Sequence, residues 1–146
     1  MEDEEAGGIV KFLLDTNILS EVRKPKPHGG VLAWFMANHS ATFAIPSIAL
    51  FELQMGAEKI RKQDPYRAEV FDFWAGRIAG ANVLPLDAAA ARETARLMSK
   101  QPTVLLLDAM IAAIAKVNGF TVATRNTRDF ERFEVPLVNP FLFPKG

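Results

Sequence analysis

The chain alternates short, strongly apolar runs with longer segments in which apolar residues recur every three or four positions. Runs of the first kind are typical of buried strands in a parallel sheet, and segments of the second kind predict helices that cover the sheet. The pattern predicts four strands and allows a short fifth, at 9–14, 41–45, 82–86, 120–124 and 136–138. Helices are predicted between them, so the pattern favours an α/β fold with a mainly parallel, four- to five-stranded sheet flanked by helices.

Characteristic start and stop residues bound the predicted helices. Asn17 is predicted to cap a short helix that ends near Arg23, before a loop rich in proline and glycine. Asp64 and Asp87 are each predicted to begin a helix, and Gly119 to end one as a left-handed cap. The other predicted helices cover 31–38, 47–63 and 105–117.

The composition is that of one compact domain. Of the 146 residues, 49% are hydrophobic and 23% are charged, and no linker or internal repeat divides the chain. We therefore expect a single domain over 9–146, preceded by a disordered acidic extension at 1–8. Basic and acidic residues number 17 each, so any attraction to nucleic acid must come from local patches.

The chain contains no cysteine, which excludes disulfides and thiolate metal sites and suits a reducing compartment. No apolar run approaches the ~20 residues that a membrane span requires. Residues 1–8 lack the basic start and apolar core of a signal peptide. We therefore expect a cytoplasmic protein that does not act at a membrane.

Four acidic residues are predicted to meet at one edge of the sheet. Asp15 follows the first strand, and Asp129 lies beyond Thr124, which ends the fourth. The segments that follow parallel strands converge at the carboxyl edge of a sheet, so these two acids face one crevice. Glu52, inside the helix after the second strand, and Asp108, at the start of an apolar helix, can point to the same edge.

Such a cluster of carboxylates requires a cation to balance its negative charge. Clustered carboxylates repel one another and hold protons at neutral pH unless a cation is present, and burying Asp108 without a partner is costly. Taken alone, Asp108 is also consistent with a helix-start acid favoured by the helix dipole. Oxygen ligands suit Mg²⁺ or Mn²⁺. One or two such ions activate water and stabilise a leaving oxygen, so we predict hydrolysis of a phosphodiester.

Polar and basic residues lie beside the acids in the sequence. Hydroxyl and amide groups that could orient ligating waters or carboxylates are those of Thr16, Asn17, Thr124 and Asn126. The two asparagines are also good cap and turn residues, and both interpretations can hold together. Basic residues that could contact the phosphates of a nucleic acid, or form solvated surface, are Arg23, Lys24, Lys26, Arg125, Arg128 and Arg132.

Four motifs together resemble one known family, the PIN-domain ribonucleases, and within it the VapC/FitB-type toxins of bacterial type II toxin–antitoxin modules. These motifs are LLDTNILSE at 13–21, FELQMG at 51–56, LDAMIAA at 107–113 and TRNTRDF at 124–130. The similarity covers nearly the whole chain and extends to segments typical of the FitB-type branch, at 23–27, 83–87 and 137–140. Two differences are the extension at 1–8 and the apolar residues at 105–107, where more polar residues are common.

The resemblance implies a PIN-like three-layer sandwich and an endoribonuclease that depends on one or two Mg²⁺ or Mn²⁺ ions. It implies that the catalytic, metal-binding residues are Asp15, Glu52, Asp108 and Asp129, the last binding directly or through a water. It assigns supporting roles to Thr16, Asn17, Thr124 and Asn126. It also implies a homodimer held inactive by a small antitoxin, and it leaves the RNA target open.

Three other classes of protein share some of these sequence features. A phosphatase of the haloacid dehalogenase type places a nucleophilic aspartate after its first strand, but it requires a second aspartate where this chain has Asn17. A receiver domain requires a phosphorylatable aspartate after the third strand together with an acidic pair near the first, and the chain lacks that pair. A non-catalytic interaction module with a structural or empty metal site is a third alternative, against which the presence of all four acids argues.

Overall fold

The computed structural model of the protein describes residues 9–144, so the extension predicted at 1–8 lies outside the described residues. Five strands form one sheet in the order β3-β2-β1-β4-β5, and every neighbouring pair is parallel. The strands are β1 at Lys11–Leu14, β2 at Thr42–Pro46, β3 at Val83–Leu84, β4 at Thr121–Ala123 and β5 at Leu137–Val138. The predicted α/β class with a parallel sheet is confirmed, including the short fifth strand.

Helices connect the strands and cover the sheet. They are α1 at Thr16–Val22, α2 at Gly29–Ala37, α3 at Ser47–Ile60, α4 at Pro65–Ala79, α5 at Ala88–Leu97, α6 at Leu106–Asn118 and α7 at Thr127–Glu131. Short 3₁₀ turns lie at Thr103–Leu105 and Pro140–Leu142. None of the helices in the described part of the chain is long and apolar enough to cross a membrane.

Alternating side chains of β1 face the two halves of the core. Leu13 belongs to an apolar cluster formed mainly with α5, α6 and α7, whereas Phe12 and Leu14 belong to a second cluster formed mainly with α1 to α4. Leu13 pairs with Ala44 of β2 and Val122 of β4, so β1 is central in the sheet. The result is the predicted three-layer arrangement of helices, sheet and helices.

Local sequence explains most of the element boundaries. The side chains of Asp64 and Asp87 accept hydrogen bonds from the first turns of α4 and α5, as predicted, and Gly119 ends α6 with a φ of 73°. The third strand is shorter than predicted, because Pro85 has no N–H group to continue the ladder. Between α3 and α4, Arg61 donates to both carboxylate oxygens of Asp72 at 2.9 Å.

One prediction about the helices was wrong, and one helix was missed. Asn17 does not cap α1, because Asp15 occupies the cap position and accepts from the backbone N–H of Thr16. The helix α7, which carries Asp129, was not predicted from the sequence. A helix of five residues is too short to show a hydrophobic period in the sequence.

Candidate active site

Asp15 stands at the centre of a hydrogen-bond network at the carboxyl edge of the sheet. Its backbone N–H donates to the carbonyl of Ala123 at 3.0 Å, which extends the pairing of β1 with β4 by one residue. Its side chain is only 4% exposed. Oδ1 accepts from the N–H of Thr16 at 2.7 Å, and Oδ2 accepts from Thr124 Oγ1 at 2.8 Å and from Asn17 Nδ2 at 3.2 Å. The buried carboxylate is therefore fixed by three donors.

Further hydrogen bonds hold those donors in place. Asn17 Oδ1 accepts from the backbone N–H of Arg125 at 3.1 Å, and Thr124 Oγ1 accepts from the backbone N–H of Asn126 at 2.9 Å. The amide of Asn17 thus connects the start of α1 to the end of β4. Of the four predicted supporting residues, Asn17 and Thr124 contact Asp15 through their side chains, whereas Asn126 enters the network through its main chain.

Glu52 is connected to Asp15 through a single residue. Thr16 donates its backbone N–H to Asp15 and its hydroxyl Oγ1 to Oε1 of Glu52, the latter at 2.5 Å. Glu52 lies in the second turn of α3, after β2, and is partly buried. The side chain of Thr16 therefore sets the position of the second acid relative to the first.

Three of the four predicted acids line one open cavity of about 390 Å³: Asp15, Glu52 and Asp108. The other lining residues are Thr16, Asn17, Ser20, Glu21, Lys24, Arg125, Asn126 and Phe141. Asp129 is not among the lining residues. It lies in the first turn of α7 and is partly buried, and its charge still acts on Asp108.

The pKa values of two of the acids are raised by burial and by the charges of the neighbouring acids. Burial raises the pKa of Asp15, and Glu52 raises it further, while hydrogen bonds from Thr124 and Thr16 lower it. Burial raises the pKa of Asp108 to about 6, with further contributions from the charges of Asp15, Asp129 and Glu52. All four acids thus interact electrostatically.

Within residues 9–144, no three acidic or histidine side chains are arranged as a ready-made set of metal ligands. Neighbouring acids raise the pKa values of Asp15 and Asp108, but the four acids are not arranged around a single point. Oxygen donors that repel each other around an open cavity nevertheless have the chemistry that a hard divalent cation satisfies, because the cation removes the repulsion. The residues present therefore fit such an ion.

A further acid, Glu21, is buried, lines the same cavity and was not predicted as a site residue. Its Oε1 accepts from Lys24 Nζ at 2.9 Å, and its Oε2 accepts from the backbone N–H of His28 at 2.8 Å. These donors hold the pKa of Glu21 below its ordinary value. Glu21 fixes the loop after α1 through these hydrogen bonds. It lies one helical turn after Asn17 and so on the same face of α1, which is the sequence signal that could have identified it.

Two of the basic residues that flank the motifs line the cavity with the acids, namely Lys24 and Arg125. Lys24 is paired with Glu21, and the guanidinium of Arg125 lies 4.6 Å from the centroid of the Phe141 ring. That distance is typical of a cation–π contact. Asn17 thus holds the backbone N–H of Arg125, and the ring of Phe141 holds its guanidinium.

Comparisons with known proteins point to one family. Residues 12–136 match the family model described as the PIN domain. The VapC ribonuclease Y4jK of Sinorhizobium fredii is 38% identical over 141 residues, covering 89% of this chain and 97% of that protein. The toxin FitB of Neisseria gonorrhoeae is 31% identical over 141 residues, covering 89% and 98%. The crystal structure of DNA-bound VapBC from Salmonella typhimurium has a TM-score of 0.69 at 32% identity, covering 90% of this chain and 99% of that one.

Proposed function

This chain belongs to the PIN-domain family, and we propose that it is a metal-dependent endoribonuclease that hydrolyses RNA phosphodiester bonds as the toxin of a toxin–antitoxin pair. The observation that carries the proposal is the open cavity in which Asp15, Glu52 and Asp108 meet. Similarity to a VapC ribonuclease, to the toxin FitB and to a VapBC complex supports the same activity.

In this proposal the acids hold one or two Mg²⁺ or Mn²⁺ ions. Asp15, Glu52 and Asp108 are the ligands, and Asp129 on α7 binds directly or through a water. When bound, such ions activate a water and stabilise the leaving oxygen of a phosphodiester. Thr16, Asn17 and Thr124 orient the carboxylates, as second-layer hydrogen bonds do around metal ligands, and Asn126 supports Thr124.

The chain's own residues also hold the substrate. Arg125 and Lys24 line the same cavity as the acids and bind phosphates of the RNA backbone, whose negative charge dominates the affinity of such proteins. No protein nucleophile is required. The phosphatase alternative finds no support at Asn17, because its amide is occupied by Asp15 and by the N–H of Arg125.

The partners follow from the same proposal. RNA is the substrate, in the cytoplasm, and a small cognate antitoxin is the inhibitor, in keeping with the similarity to a VapBC complex. We further propose that residues 9–146 form one domain and that the protein is a homodimer. A short reading frame beside the gene that encodes a DNA-binding antitoxin would support this assignment, and an isolated gene would count against the toxin role.

Purified protein tests the activity directly. We expect cleavage of single-stranded RNA with Mg²⁺ or Mn²⁺, loss of cleavage with EDTA, and no hydrolysis of a small phosphate monoester. Asp15→Asn and Asp108→Asn should each abolish cleavage without loss of fold, because removing one of several repelling carboxylates need not destabilise the metal-free protein. Glu69→Gln, an exposed acid on α4, is the control. Full activity in either aspartate variant would exclude that residue from the mechanism.

A further inference from the structure

A second, smaller cavity of about 160 Å³ adjoins the acid cavity. The two share Thr16, Ser20 and Glu52 as lining residues. The remaining walls come from α3, α4 and the end of α1, and include Arg23, Gly56, Phe71 and Trp74. The volume is well below the ~300–1,000 Å³ of a pocket for a drug-sized ligand. It suits a single ring system attached to something that lies in the neighbouring cavity.

Gly56 keeps this cavity open. It lies inside α3, and apart from its chain neighbours and the backbone of the helix itself no atom is found within 4 Å of the position that its Cβ would occupy. Glycine in a helix interior is less favourable than alanine, because it loses more conformational freedom on folding. A side chain here would strengthen α3 without a steric conflict and would begin to fill the cavity. The chain instead retains the glycine and the space beside it.

The walls of the cavity are aromatic and cationic. The guanidinium of Arg23 lies 4.3 Å from the centroid of the Phe71 ring, so its charge is held against the aromatic wall. The indole Nε1 of Trp74 is buried, so this ring offers mainly its carbon surface to an occupant. Aromatic rings and a guanidinium plane are the groups on which proteins stack the unpaired bases of single-stranded RNA.

We propose that this cavity binds one nucleobase of single-stranded RNA, on the nucleotide next to the bond that is cut. The inference rests on the proposed ribonuclease function. Because Thr16 and Glu52 line both cavities, a base in the smaller one has its sugar and phosphate beside the acids. A base enters such a cavity only when it is unpaired and unstacked, so the substrate is single-stranded RNA or a loop.

The test compares intact and abasic substrates. One substrate is a single-stranded oligoribonucleotide that the protein cuts at one position, and the others lack the base on one or the other side of the cut. We expect the wild-type protein to cut one abasic substrate roughly tenfold more slowly than the intact one, which is the scale of a single base–aromatic stack. In Gly56→Leu, where the leucine fills the cavity, the intact substrate should be cut as slowly as the abasic one.

A matched control variant and a double-mutant cycle separate the loss of base binding from general damage to the protein. Gly76→Leu changes another glycine inside a helix with open space around its Cβ position, on α4 and outside both cavities, and should keep the wild-type preference. The two changes should not add, because Gly56→Leu and loss of the base remove the same interaction. If Gly56→Leu slows the intact and abasic substrates by the same factor, the leucine has disturbed Glu52 and the proposal is overturned.

A binding measurement needs no cleavage and keeps the proposal apart from the ribonuclease assignment. In EDTA, adenosine or uridine monophosphate should quench the fluorescence of Trp74 in the wild-type protein and in Gly76→Leu, and not in Gly56→Leu. Protein that cuts no RNA but shows this quenching would contradict the proposed activity and support the base site. Cleavage of RNA with no preference for the intact substrate and no quenching would overturn the base site alone. If none of the proteins shows quenching, and Gly56→Leu changes only the inhibition of cleavage by a protein partner, the cavity binds that partner and the base site is overturned.

Discussion

Thr124 donates a hydrogen bond of 2.8 Å from Oγ1 to Oδ2 of Asp15, although the two residues are 109 positions apart in the chain. They stand at the carboxyl ends of neighbouring strands, β4 and β1. Both side chains are buried. The position of the central acid therefore depends on a residue that only the folded sheet brings next to it.

Replacing Thr124 should impair the site more than the fold. Thr124→Val keeps the shape of the side chain but removes the hydroxyl that donates to Asp15 and accepts from the N–H of Asn126. We expect a loss of roughly 10- to 100-fold in metal affinity or cleavage, the usual effect of removing such a supporting group. Calorimetric titration with Mn²⁺ and single-turnover cleavage measure it. Thr124→Ser retains the hydroxyl, so its metal affinity and cleavage rate should stay near those of the wild type. A valine variant with the metal affinity and cleavage rate of the wild type would contradict this role.

Asp108 should make the stability of the metal-free protein depend on pH. Its pKa in the folded protein is about 6, above the ordinary 3.8. A carboxyl with a raised pKa contributes stability below its unfolded pKa and loses that contribution as the pH rises through the folded value, here between about pH 4 and about pH 7. In EDTA, the melting temperature of Asp108→Asn minus that of the wild type should therefore increase across this range. A difference that stays constant with pH would contradict the raised pKa of Asp108, which is due first to its burial and then to the charges of the neighbouring acids.

A divalent cation should stabilise the folded protein through the four acids. A ligand that binds only the folded state at 100 times its dissociation constant adds about 2.7 kcal/mol to the free energy of unfolding. We expect Mn²⁺ to raise the melting temperature of the wild type in a saturable way. The rise should be smaller in Glu52→Gln and unchanged in Glu69→Gln, whose glutamate is exposed on α4. An equal rise in all three proteins would place the ion elsewhere.

Arg125 should contribute to the binding of RNA through its charge. Its guanidinium is held beside the acid cavity by the ring of Phe141. Arg125→Ala should weaken RNA binding and reduce the slope of log K against log salt by about 0.7, the value for one phosphate contact with a single strand. Fluorescence anisotropy over a series of salt concentrations, with Ca²⁺ or EDTA to prevent cleavage, measures the slope. Arg92→Ala, an exposed arginine on α5, is the control, and an unchanged slope in Arg125→Ala would remove this contact.

The sequence predicts features that local chemistry determines. Apolar runs identified the strands, and the carboxylates of Asp64 and Asp87 and the φ of Gly119 mark helix ends as their side chains and backbone require. The shared position of Asp15, Glu52 and Asp108 along one cavity follows from the rule that parallel strands present their carboxyl ends at one edge.

Features decided by distant contacts could not be predicted. Asn17 is a good cap by type, yet its amide contacts Asp15 and the main chain of Arg125, which only the fold places beside it. The burial of Glu21 depends on a loop that returns to give it the N–H of His28. The short α7 is stabilised by the buried ring of Phe130 and not by any period of its own sequence.

The central position of β1 in the sheet has a consequence for the synthesis of the protein. Asp15 and Glu52 emerge from the ribosome early, whereas Asp108, Thr124 and Asp129 emerge late. A chain that is still being made therefore has neither the full set of acids nor the strand β4 that fixes the first of them. An enzyme with the proposed activity should therefore lack its complete set of acids until β4 and α7 have been made.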